Sequence, residues 1–280
     1  MSHKYELLSK LGEGQFGSVY LGKKRNGSDQ VALKIEYKDS PYQMLKHEAR
    51  ILHYLYEKGC AFIPVVFWYG RYEKHLGIAM SHYEISYEDF IMNDSIIIDS
   101  KKNQEYYLDK MIEIIDHIHD RFVIHCDIKP QNFMMRDGEL FLIDFGLSRI
   151  YVDEEKQPIP ETKGHDTVLG TPKYISVFIH EGYSPSCRDD IISCLYVYLF
   201  SKMKTLPWEN IPDNVMEEKE GIEPIHVGHY KNKERMRLKQ ETMKSLENHP
   251  LGIQLLQAYS LKSTDRFVVK KSKVNIIHAR

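Results

Sequence analysis

The sequence predicts an α+β protein of two lobes, a small β-rich one followed by a larger, mainly helical one. Three observations carry that prediction. Up to residue 80, short β-branched and aromatic runs alternate with turn residues. Beyond it, apolar residues recur at helical spacing. From Asp189 to Met203 the chain is apolar nearly all round, the mark of a helix buried on every side. With 280 residues the chain can bury such a core without disulfide staples.

The elements follow in order. Residues Tyr5–Leu11, Ser18–Gly22 and Val31–Ile35 read as strands, and Asn26-Gly27 between the last two reads as a hairpin turn. Pro41–Tyr56 places Leu45, Leu52 and Leu55 close to helical spacing. Val65–Tyr69 and Leu76–Met80 are two more strands, and Ser81–Tyr83 is a connector. Gln104–Phe122 puts Leu108, Met111, Ile112, Ile115 and Ile118 on one helical stripe. Short strands recur at Phe133–Met135 and Leu140–Ile143. Residues 151–170, with Pro158, Pro160 and an acidic cluster, read as a long loop. The remainder reads as helical and polar. No internal repeat or low-complexity tract is present.

Composition narrows the function classes. A net charge of -2 argues against nucleic acid as the main partner, because such domains carry a basic excess. Hydrophobic residues at 42% and charged residues at 28% exclude a disordered chain, a collagen and a coiled coil. No apolar run approaches the ~18 residues that span a bilayer. Cys60, Cys126, Cys187 and Cys194 show no C-x-x-C spacing and read as free thiols in a reducing compartment. The start has no apolar signal segment, and Ser2 stands where myristoylation needs glycine. The expectation is a soluble cytoplasmic protein, with Lys270-Lys271-Ser272-Lys273 leaving a nuclear address open. The basic run from Lys231 to Lys239 reads as a solvated helix face.

The chemistry lies in four motifs. Gly12-Glu13-Gly14-Gln15-Phe16-Gly17-Ser18-Val19 spells G-x-G-x-x-G-x-V, whose backbone can approach phosphates closely; alone, the pattern also arises in plain hairpins. A strand, not a helix, follows the third glycine, which argues against a dinucleotide fold. Lys34, in Val31-Ala32-Leu33-Lys34, has apolar flanks that direct its amine into a cleft, and Glu48, fourteen residues on, can pair with it. Alone, the two read as a snorkelling strand lysine and a solvated helix face. His125-Cys126-Asp127-Ile128-Lys129-Pro130-Gln131-Asn132 follows a helix. There Asp127 suits a proton acceptor, Lys129 a phosphoryl-charge neutraliser and Asn132 a metal ligand. In Ile143-Asp144-Phe145-Gly146, Asp144 is a second hard-oxygen ligand of the kind Mg²⁺ prefers.

In this order the motifs resemble the eukaryotic protein kinases, from about Leu7 to Arg266. The resemblance implies a single kinase domain over 1–280: a small lobe to about residue 80, a hinge at about 81–84, and a large lobe beyond, with ATP in the cleft between them. By resemblance Asp127 is the catalytic base, Lys129 assists, and Asn132 and Asp144 bind Mg²⁺. The nucleotide would contact Leu11, Gly12, Glu13, Gly14, Gln15, Phe16, Gly17, Ser18 and Val19. It would also contact Ala32, Lys34 with its partner Glu48, Met80 as gatekeeper, Ser81 and Tyr83 in the hinge, and Asp89 at the ribose. Asp190 would anchor the catalytic loop. Asp127-Ile128-Lys129-Pro130 is similar to the serine/threonine form of that loop.

Within kinases the loops at 127–133, 143–149 and 170–176 are most similar to casein kinase I; vaccinia-related and tau-tubulin kinases are the alternative branches. Cys126 replaces the Arg of H-R-D, Phe178 stands where that family has Asn, and Asp166 lies near an expected phosphate-binding lysine. The resemblance implies use of ATP and Mg²⁺ and action on Ser/Thr of protein substrates, acidic or phospho-primed ones among them; a monomer is expected. The alternative is a pseudokinase-like scaffold that binds nucleotide and partners without turnover.

Overall fold

A computed structural model describes residues 4–14, 17–40, 43–93, 100–165, 168–211, 224–262, 266–270 and 273–277. The chain divides into two compact units, Met1–Phe90 with Gln131–Ser148, and Ile91–Pro130 with Arg149–Arg280.

In the first unit, strands β1 (Tyr5–Gly14), β2 (Gly17–Lys24), β3 (Gln30–Glu36), β4 (Val66–Tyr72) and β5 (His75–Ser81) form an antiparallel sheet in the order β1-β2-β3-β5-β4. Tyr5, Val31, Leu33, Ile35, Tyr72 and Ala79 make a buried cluster on it, as period-2 alternation of these apolar residues requires. Gly17 is needed for a close approach: a Cβ there would lie 2.0 Å from the Ile35 carbonyl oxygen on β3. Helix α1 (Met44–Glu57) buries Leu45, Ile51, Leu52 and Leu55, and also Glu48. Gln43 provides no side-chain cap for it. The Glu36 carboxylate, at the end of β3, accepts the Met44 and Leu45 amides at 2.8 and 3.2 Å. An anion therefore sits at the positive end of α1.

The first unit extends beyond its five-stranded sheet. It runs past the expected connector to Phe90 and takes back Gln131–Ser148. The reason is a second, three-stranded sheet, in which β6 (Ile85–Ser86) pairs with β8 (Phe133–Arg136) and β8 with β9 (Glu139–Leu142). Helix α2 (Tyr87–Met92) follows β6 directly.

The second unit is mainly helical. Helix α3 (Ser100–His119) and helix α5 (Cys187–Met203) pack together. Every residue of α5 from Cys187 to Ser201 is buried, the charged Arg188, Asp189 and Asp190 among them, whereas Met203 at its end is exposed. Strand β7 (Val123–Ile124) pairs with β10 (Arg149–Ile150), and the loop beyond holds the bridge Val152↔Pro158. Helix α4 (Val177–His180) is tied to the start of α5 through Asp189, whose carboxylate takes the Ser176 hydroxyl at 2.5 Å and the Ser186 hydroxyl and amide at 2.7 and 2.8 Å. Helices α6 (Pro224–Ser245) and α7 (Pro250–Ser260) follow.

Two expectations for the last third are corrected. The remainder is not helical throughout, because β11 (Arg266–Lys270) and β12 (Lys273–Ile277) form an antiparallel hairpin. Val268, Val269, Val274, Ile276 and Ile277 are β-branched and favour strand over helix. Nor is the basic run a solvated face to its end: Lys239 is fully buried. Lys271 and Ser272 of the basic tail lie outside the described residues. Among the described residues no helix is long and apolar enough to cross a membrane.

Candidate functional site

Two groups of functional side chains assemble, one in each unit. In the first unit β3 delivers Lys34 and α1 delivers the buried Glu48, whose Oε2 accepts the Lys34 ammonium at 2.7 Å. Asp144 Oδ1 accepts the same ammonium at 2.8 Å. Burial works against the Lys34 charge, but Glu48 and Asp144 outweigh it and hold the amine above its ordinary pKa. Lys34 is therefore a fixed cation between two carboxylates. Asp144 adopts the left-handed conformation at φ 64° and ψ 70°, uncommon for a non-glycine residue and enriched at functional loops. His47 Nε2 lies 2.7 Å from the Ser148 carbonyl, a second tie from α1 to the segment after Asp144. Asn132 is buried, and its carbonyl accepts the amide of Ile143, the residue before Asp144, at 2.9 Å. That bond lays the two expected metal ligands on adjacent backbone.

The glycine-rich strands lie above this group in sequence and pair in register as Gly12↔Val19, Glu13↔Ser18 and Gly14↔Gly17. A Cβ added to Gly12 or Gly14 would meet nothing within 4 Å, so packing does not demand glycine there and the backbone is left open to approach. Gln15 and Phe16 lie outside the described residues. Tyr37 tethers the segment: its hydroxyl lies 2.7 Å from Ser18 Oγ and donates to Glu13 Oε1 at 3.2 Å. The Lys10 ammonium beside Glu13 lowers that carboxyl below its usual range. Ala32 stands opposite the buried Met80 across β3 and β5, and Leu11 is exposed. Ser81 and Tyr83 put their side chains to structural use. Ser81 Oγ accepts the Val65 amide at 3.1 Å, and Tyr83 stacks on Phe141 at 4.6 Å. Asp89 Oδ2 takes the Ser86 hydroxyl at 2.6 Å, a capping contact at the start of α2.

In the second unit Thr171 and Lys129 both donate to Asp127. Its Oδ1 accepts the Thr171 hydroxyl at 2.6 Å and the Thr171 amide at 2.9 Å, and its Oδ2 accepts Lys129 Nζ at 2.7 Å. Lys129 also reaches Thr171 Oγ1 at 3.3 Å. The loop carrying Asp127 hangs from α5: Asp190 accepts the His125 amide at 2.8 Å, the Cys126 amide at 3.0 Å and His119 Nε2 at 2.9 Å. Burial alone would raise the Asp190 carboxyl, but His119 and His125 hold it below the ordinary range. Cys126 takes φ 68°, and burial pushes its thiol pKa up, so the group stays neutral. Gly170, at φ 94°, is required beside it, since a Cβ would lie 2.6 Å from the Cys126 carbonyl oxygen.

The loop before Thr171 is pinned by ordinary side chains. Arg188 pairs with Glu161 at 2.6 Å and stacks over Phe178 at 3.4 Å. The Thr162 amide donates to Ser184 Oγ at 2.9 Å. Lys173, on the far side of Thr171, is paired with Glu209 at 2.6 Å. Asp166 and Thr167 lie outside the described residues.

Sequence reasoning missed Glu36, Tyr37, His47 and Lys239. None carries a motif spacing, and most of their bonds go to backbone groups, which leave no mark on sequence. Among the described residues no group of three or more His, Cys, Asp or Glu is gathered as a metal centre. Asn132 and Asp144 supply hard oxygen donors that fit a Mg²⁺ ion completed by phosphate oxygens and water, which needs no such group. The family model of the protein kinase domain matches residues 5–266.

Proposed function

The chain belongs to the protein kinase family, and on that premise we propose that it is an ATP- and Mg²⁺-dependent serine/threonine kinase of casein kinase I type. The observation that carries the reading is the Asp127–Thr171–Lys129 group, with one carboxylate oxygen on Thr171 and the other on Lys129. Asp127 accepts the proton of the acceptor hydroxyl as its oxygen attacks the γ-phosphorus. The bond from that phosphorus to the β–γ bridging oxygen breaks, and ADP leaves. Lys129, already on Asp127, is available to neutralise charge on the transferred group. Lys34, fixed by Glu48, holds the α- and β-phosphates. Mg²⁺ held by Asn132 and Asp144 would neutralise the phosphate oxygens.

Serine/threonine specificity rests on the Asp127-Ile128-Lys129-Pro130 pattern, supported by Lys129 bonding both Asp127 and Thr171. A leaning towards acidic or phospho-primed protein substrates remains part of the proposal, weakened because Glu209 already neutralises Lys173. Incubating the protein with γ-labelled ATP, Mg²⁺ and casein, followed by phosphoamino-acid analysis, tests the reading. Label on serine and threonine is expected. Label confined to tyrosine would overturn the specificity.

A further inference from the structure

Lys239 is buried on a helix whose neighbouring charges face water. On the preceding turn Arg237 is exposed and pairs with Glu234 and Glu241, as a solvated helix face should. Lys239 instead has no exposed surface, beside the equally buried Tyr196 and Trp208. Its nitrogen lies 5.2 and 5.5 Å from the centroids of those two rings, within range of a cation–π attraction. Burying a lysine is costly unless its hydrogens are used. Here they are: Nζ donates to the Pro172 carbonyl at 2.9 Å and the Ile175 carbonyl at 2.6 Å, and it lies 3.0 Å from His180 Nε2. Carbonyls only accept, so two of the amine hydrogens are committed to residues 172–175.

Those residues form the turn that follows Thr171. The Tyr174 and Ile175 amides both donate to the Thr171 carbonyl, at 2.8 and 3.1 Å. Trp208 Nε1 donates to the Lys173 carbonyl at 2.7 Å from the same side. Thr171 in turn grips Asp127 Oδ1 with its amide and hydroxyl. The chain of bonds is therefore continuous from α6 to the expected catalytic carboxylate, through one turn.

We propose that Lys239 is a positioning residue for phosphoryl transfer, fixing the Pro172–Ile175 turn so that Thr171 aims the Asp127 carboxylate. The inference rests on the kinase reading above. It accounts for a buried amine, its pKa pushed well down by burial, where an apolar side chain would pack more cheaply: Nζ is a donor to the Pro172 and Ile175 carbonyls.

A double-mutant cycle tests it, with Lys239→Met, Thr171→Ala and the pair compared in the full chain. Lys239→Met keeps the length and removes the donors, and should lower kcat on casein by about ten- to a hundredfold, the scale expected of a small misplacement of a reacting group. The KM for ATP should stay within about twofold, and Lys239→Arg should recover part of the loss. In the Thr171→Ala background the further loss should shrink to less than about threefold, because the lysine acts through Thr171. Full additivity would overturn the proposal. Hydrogen exchange supplies an arm independent of turnover: the Tyr174 and Ile175 amides should lose at least about tenfold protection in Lys239→Met. Unchanged protection would contradict the inference even if the wild-type protein proved inactive, whereas wild-type inactivity with lost protection would sink only the kinase reading. If Lys239→Met fails to melt cooperatively, Lys239→Gln, which keeps two donors on a shorter arm, takes its place in the cycle; a smaller loss is then expected, and it must still shrink in the Thr171→Ala background. Failure of both to fold would make the lysine a determinant of the fold and overturn a positioning role.

Discussion

Asp127 and Asp144 are both aspartates in irregular segments, and their surroundings assign them different work. Asp127 faces a hydroxyl, an amide and an ammonium, so replacing it with Asn keeps the shape and much of the hydrogen bonding. We expect Asp127→Asn to melt within a few degrees of wild type and to lower kcat by about 10²–10⁴, the range for a lost general base. Near-wild-type turnover would remove that role. Asp144 shares the Lys34 ammonium with Glu48. Amidation there should weaken Mg·ATP binding and flatten its Mg²⁺ dependence, read by calorimetry across a metal titration. An unchanged metal dependence would contradict the assignment. These residues were legible in the sequence because transfer of a phosphoryl group needs particular functional groups at fixed intervals. Glu36 and Tyr37 were not: one caps α1 through backbone amides and the other reaches Ser18 and Glu13 from nineteen and twenty-four residues away.

Elements were legible wherever their own period expressed their burial. The all-round apolarity of α5 and the alternation along β3 both survive into the structure. The two-residue strand β6 carries no period at all, and its pairing with β8 spans about fifty residues, so the extent of the first unit could not be read locally. The loop between Asp144 and Thr171 is where control by a loop phosphate would act. Cys126 is too short and too neutral to hold a phosphate as an arginine does. In place of a phosphate, the Glu161 carboxylate already engages Arg188, and Ser184 already holds Thr162. Activity should therefore survive phosphatase treatment, and a Thr162→Ala, Thr167→Ala double mutant should retain it. A loss above about tenfold, ~1.4 kcal/mol of barrier, in either arm would show that a loop phosphate is required. Lys173 lies just beyond this loop. Glu209→Gln should release its charge and raise the rate on a peptide with a phosphoserine three residues upstream relative to its unphosphorylated twin. An unchanged ratio would separate Lys173 from substrate choice.

At the scale of the molecule, stability should fall in mild acid. His180 lies against the Lys239 nitrogen; burial first, then the charges of Lys239 and Arg235, push its pKa from 6.5 down to about 3. Between those values the unfolded chain binds a proton that the folded chain refuses, so stability is full above pH 6.5 and falls as pH drops towards 3. The slope approaches about 1.4 kcal/mol per pH unit. The melting temperature should drop between pH 7 and pH 4, and His180→Asn should drop less; parallel profiles would contradict the histidine's part. The central claim is the proposal that the chain is a working kinase, with Asp127 needed for turnover, and not a nucleotide-binding scaffold. The most direct measurement is the number of phosphoryl groups transferred to casein per molecule of purified protein, with and without EDTA, beside Asp127→Asn. Many turnovers per molecule, abolished by EDTA and reduced to the mutant's low level, are predicted. Tight nucleotide binding without turnover above the Asp127→Asn background would contradict the account.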